Sequence, residues 1–128
     1  MIEYGGQAPT TTDRSRILTA ALFEVATRLD ISAAELGSAI GVDRSTVSRM
    51  KQHGRGLKEG SKTWELSVQV VRMYRSLFAL VGGQDEAARQ WFNGAIESFG
   101  GQSPRAMIRR IDGLVRVCDY LDAYRAQN

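Results

Sequence analysis

A chain of 128 residues is long enough for one compact domain, or for two small helical lobes that share a core. Hydrophobic residues make up 43% and charged residues 24%, the balance of an ordinary folded protein rather than a disordered one. No run approaches the ~20 apolar residues of a membrane span. Met1-Ile2-Glu3-Tyr4 lacks the basic-then-apolar pattern of a secretory signal, so a cytoplasmic protein is expected. One cysteine, Cys118, and one histidine, His53, fall short of a disulfide or a zinc cluster. Neither a metal nor a cofactor is expected.

Residues 1–12, with Gly5-Gly6, Pro9 and Thr10-Thr11-Thr12, have turn chemistry and no apolar period, and predict a flexible arm. From Asp13 the apolar residues Ile17, Leu18, Ala21, Leu22, Val25 and Leu29 recur every three or four positions, predicting an amphipathic helix to about Asp30. Ser32-Ala33-Ala34-Glu35 fits a capping box and starts a second helix that Gly41 stops. Asp43 offers the next N-cap, for a third helix over Arg44 to Gln52 that ends in the hinge His53-Gly54-Arg55-Gly56. Lys62 to Val81 contains no Gly or Pro and is apolar on more than one face, which predicts a long central helix buried on two sides. Gln84 to Phe92 reads as a shorter helix with Asp85-Glu86 at its start, interrupted at Asn93-Gly94, and Ala95 to Phe99 as a further turn or two. Ser103-Pro104 is a helix start, and Met107, Ile108, Ile111, Leu114, Val115, Cys118, Leu121 and Tyr124 keep helical spacing, with a break expected at Asp112-Gly113. No segment alternates with period two. The fold class is all-α, with an arm over 1–12, a helix-turn-helix domain over 13–60 and a helical C-terminal domain over 61–128.

The segment Ala33 to Gln52 meets the demands of a helix-turn-helix together. Gly37 supplies the small residue where the two helices abut, Gly41 the turn residue, and Val42 can tuck beneath it. Leu36 and Ile40 face Val47 and Met50, three apart on one side of the next helix. The outward residues are then polar or basic. Arg44, Ser45, Thr46, Ser48 and Arg49 are candidates for the major groove, because a recognition helix reads bases with its first turns. Lys51, Arg55 and Lys58 are placed for phosphates, which fix register without reading sequence. The net charge is only +3, yet between Asp43 and Lys62 six basic residues face two acids. Such a patch can neutralise phosphates; a solvated helix end would look the same from charge alone.

The second half carries a pattern of its own. Ala88-Arg89-Gln90-Trp91-Phe92-Asn93-Gly94-Ala95-Ile96, then Phe99-Gly100-Gly101-Gln102-Ser103-Pro104, Met107-Ile108 and Gly113 resemble the C-terminal toxin-binding domain of the Xre, MbcA and ParS antitoxins. In that family an Xre-like helix-turn-helix precedes this domain, as here, and the two together cover about residue 15 to the end. Phe92 stands where the pattern has Leu, and the tail from Tyr120 departs from the family's ending. The resemblance implies an adjacent-gene toxin of the RES type, which attacks NAD or a related nucleotide. It further implies an antitoxin that covers the toxin's active site, forms a homodimer and represses its own operon on promoter DNA, at the nucleoid.

Trp64, Met73, Trp91 and Phe92 are read as core. Arg105, Arg109, Arg110 and Arg116 recur along the terminal segment as a solvated face or as a basic stripe for the toxin's nucleotide site. The candidate toxin contacts are accordingly Arg105, Arg109, Arg116, Tyr124 and Arg125. The alternatives are a stand-alone or phage-type repressor and a toxin-binding module that has lost DNA binding. An enzyme is not expected, since no nucleophile–base pair, phosphate-cradling glycine loop or carboxylate pair is evident.

Overall fold

The structure, a computed structural model, describes residues 10–127. Seven α-helices appear in this span, α1 (Thr11–Arg28), α2 (Ala33–Ile40), α3 (Arg44–His53), α4 (Lys62–Leu80), α5 (Asp85–Asn93), α6 (Pro104–Met107) and α7 (Ile111–Ala126), with a 3₁₀ turn at Glu97–Phe99 and no strand among the described residues. No described helix is long and apolar enough to cross a membrane.

Caps in the sequence set the ends of the first four helices. Thr10 and Asp13 form a capping box on α1, Ser32 and Glu35 form another on α2, and Asp43 and Ser61 accept from the backbone N–H groups of Thr46 and Trp64 to start α3 and α4. Asp13 therefore sits one turn inside α1, which starts at Thr11, earlier than expected. The predicted arm otherwise lies outside the described residues.

α4 is the axis of the molecule. α1 and α2 pack on one side of it and α7 on the other, as its apolar residues on several faces require. Val70, Met73 and Leu77 are completely buried in α4, Leu22, Leu29, Leu36 and Ile40 on the side of α1 and α2, and Phe92, Leu114, Val117 and Leu121 in the C-terminal lobe. Each such side chain contributes about 1.5–3 kcal/mol of transfer free energy, against about 0–1 kcal/mol for an exposed ion pair, so this continuous core dominates stability.

The C-terminal lobe differs from expectation in one connection. The chain breaks at Ile108–Arg110, between α6 and α7, and Asp112-Gly113 lies inside the first turn of α7. Gly113 is required there for close approach: a Cβ would run into the backbone carbonyl of Met107. Trp91 is half-buried and stacks on Tyr120, with Phe99 edge-on to both. Ile111 and Val115 share the helical period but point outward, 62% and 44% exposed. With Ile17 and Val68 they leave an apolar surface on α1, α4 and α7, and no α3 residue lines the grooves beside it.

Candidate nucleic-acid interface

The α2–α3 corner is built by close packing. Gly41 takes a left-handed conformation (φ 83°), and its N–H and that of Val42 both donate to the Gly37 carbonyl, at 2.8 and 2.9 Å. A Cβ on Gly37 would come within 2.5 Å of the Val42 carbonyl oxygen, so only glycine lets the turn fold back onto α2. Val47 and Met50 are buried in the same cluster as Leu36 and Ile40, as their spacing predicts. That packing fixes which face of α3 is left outward.

The outward face holds Arg44, Ser45, Ser48, Arg49, Lys51 and Gln52, all exposed. Arg55 and Lys58 follow on the loop after α3, which Leu57 pins to the core at 3% exposure. The two acids of this window are occupied elsewhere. Glu59 pairs with Arg14 of α1 at 3.0 Å, and the Asp43 carboxylate caps α3, its pKa lowered by hydrogen bonds from the Thr46 hydroxyl and backbone N–H and by the Arg49 charge. Among the described residues Arg44, Lys51, Arg55 and Lys58 form no ion pair, so their charge is available to phosphates. Thr46 is placed differently from the other candidates. It is half-buried, and its Oγ1 accepts from Arg49 Nη2 at 3.1 Å.

The C-terminal arginines do not form one stripe. Arg105 turns inward across the two lobes: its Nη1 donates to Glu35 Oε1 at 2.8 Å and to the Asp30 carbonyl at 3.0 Å, its Nη2 to the Leu29 carbonyl at 2.8 Å, and its Nε to Asn93 Oδ1 at 2.7 Å. The guanidinium also lies 5.1 Å from the Phe92 ring centroid. Burial would raise the Glu35 pKa, but the Ser32 backbone N–H and the Arg105 guanidinium outweigh it and hold the carboxyl below its usual range. Arg28 adds a second link between the lobes, to Asp85 at 3.1 Å. Arg116 donates to the Ser98 carbonyl and lies against Phe99, and Arg125 donates to Ser76 Oγ. Arg109 and Tyr124 are exposed.

The sequence carried no local sign of the Glu35–Arg105 bridge, which joins residues 70 apart. No group of three or more His, Cys, Asp or Glu side chains among the described residues could hold a metal ion. Burial pushes the Cys118 thiol up to about 11, far from the range of a reactive thiolate.

A glycine-cornered helix pair with a cationic outer face is joined here, by a shared central helix, to a second helical lobe. The profile of the antitoxin Xre-like helix-turn-helix domain matches residues 8–72, half of the chain. The chain belongs to the Xre-like antitoxin family. The profile of the antitoxin Xre/MbcA/ParS C-terminal toxin-binding domain matches residues 76–126. The first match contains α3 and every residue assigned above to DNA; the second contains Trp91, Phe92, the α6–α7 turn with Gly113, and all the candidate toxin contacts. No curated protein matches the chain. The family and its two domains make this an antitoxin whose partner classes are a toxin and DNA.

Proposed function

We propose that this antitoxin neutralises a RES-type, NAD-targeting toxin encoded by an adjacent gene, by covering the toxin's active site, and that it represses its own operon by binding promoter DNA. The cytoplasm is where it acts, and the two halves are non-enzymatic. The observation that carries the reading is the union, in one chain, of a toxin-binding domain with an α3 face whose arginines and lysines point outward beside acids already engaged. On that reading Arg44, Ser45, Ser48 and Arg49 meet bases, while Lys51 and Arg55 hold phosphates. Homodimerisation belongs to it too, since one chain presents one recognition helix and helix-turn-helix proteins read half-sites about one helical turn apart in pairs. Toxin contact falls to the exposed Arg109, Arg116, Tyr124 and Arg125, and Arg105 serves the toxin-binding lobe from inside, as its tie to the helix-turn-helix.

Co-expression with the neighbouring open reading frame tests the toxin half. Growth rescue and a stable complex are expected. A neighbour that is harmless alone, or that is neither bound nor neutralised, refutes this half and leaves a stand-alone repressor.

A further inference from the structure

The first turns of a recognition helix enter the major groove, and side chains on a helix lean toward its N-terminus. Arg49 lies one turn inside α3, so its long side chain reaches back toward those first turns. There its Nη2 donates to Thr46 Oγ1 at 3.1 Å, and Thr46 also holds Asp43, the N-cap that starts the helix. Thr46 thus contacts both groups, its backbone N–H donating to the Asp43 carboxylate at 2.8 Å and its hydroxyl oxygen accepting from the guanidinium. Arg44, exposed at the first position of α3, has no side-chain hydrogen bond among the described residues. The two arginines of the outer face are therefore unlike: one is tethered and the other loose.

We infer that Thr46 is a positioning residue that holds Arg49 ready to read a guanine, making Arg49 the principal sequence-determining residue of α3. The inference rests on the DNA-binding reading given above. A guanidinium has five N–H donors; one goes to Thr46, and two of the rest suffice for the O6 and N7 of a guanine. The tether removes part of the ordering cost that a free arginine meets on binding, which for one rotamer-rich side chain corresponds to about 2- to 10-fold in affinity. Thr46 itself is half-buried, and its hydroxyl oxygen is engaged by Arg49.

The test is selection from a random duplex DNA library with the full chain and its Thr46→Val, Thr46→Ser and Arg49→Lys variants, followed by affinity for the selected duplex and for a duplex changed at one base pair. The wild type is expected to require guanine at one position of each half-site, and Arg49→Lys to lose that requirement. Thr46→Val, which keeps the backbone cap on Asp43, should bind the guanine site about 2- to 10-fold more weakly and relax discrimination at that position alone, with Thr46→Ser restoring both. Thermal melting checks that each variant is folded, and Thr46→Ala is read in the same way should Thr46→Val unfold. Full guanine discrimination in folded Thr46→Val, or a loss spread over all positions, overturns the positioning role. A wild type that selects no sequence overturns the DNA-binding reading and the inference with it.

Discussion

The arginines around α3 and those of the C-terminal lobe are the same residue put to opposite uses. In and after α3, Arg44, Arg49 and Arg55 stand on the surface, and the nearby acids are tied up in an N-cap and in the Arg14–Glu59 pair. In the C-terminal lobe Arg105, Arg116 and Arg125 donate to carbonyls and side chains of the protein itself, and Arg105 joins the lobes. What decides between these uses is the supply of acceptors. α6 lies against the carbonyls of Leu29 and Asp30 where α1 ends, and Arg105 donates to both, whereas Arg44 and Arg55 have no such bond among the described residues. Arg44 and Arg55 are left facing solvent, and Arg105 is spent on the fold.

This contrast can be broken or sharpened by substitution. The largest effect is expected from Arg44→Ala with Arg49→Ala, which should remove specific DNA binding at about 1–3 kcal/mol for each bidentate base contact and leave the melting temperature almost unchanged. Gel shifts and thermal melting on one preparation check both. Arg105→Ala should do the reverse, costing about 2–3 kcal/mol of stability, because it takes the charge partner from a partly buried Glu35 carboxylate and removes four hydrogen bonds and the contact with Phe92. Denaturant titration measures this.

A smaller effect concerns pH. The Glu35 pKa is lower in the folded chain than its ordinary value near ~4.3. Its contribution to stability is therefore complete above that value and is lost as the pH falls through the depressed folded pKa. Glu35→Gln should reduce the loss of stability between about pH 5 and 3, and an unchanged acid slope in that variant would show that Glu35 is not held by Arg105. The smallest effect is expected of Arg109→Ala, an exposed site, which should change stability by under about 0.5 kcal/mol. Its effect belongs, on the proposed function, to toxin affinity alone.

Much of this architecture was legible in the sequence, because its signals are local. Ser32 and Glu35, Gly37 and Gly41, and the Leu36/Ile40 to Val47/Met50 facing all act within about 18 residues, where cap chemistry and helical period decide the outcome. The Thr10–Asp13 capping box is equally local, but Asp in place of Glu disguises it among turn-forming residues. The rest depended on distant chain. Gly113 resembles a helix breaker until the Met107 carbonyl is seen above it, and Arg105 resembles a surface residue until α1 and α2 supply its acceptors. The outward face of α3 could be read from spacing; the Thr46–Arg49 tether needed rotamers.

The most direct test of the central claim is a salt-dependent gel shift of the purified full chain on duplex DNA from immediately upstream of its own gene, with Arg44→Ala/Arg49→Ala and Arg105→Ala beside it. The account predicts a specific complex that weakens linearly in log affinity against log salt, is lost in the double variant and survives in Arg105→Ala at a temperature where that variant is folded. Wild-type strength in the double variant, or no specific complex with the wild type at low salt, would contradict it.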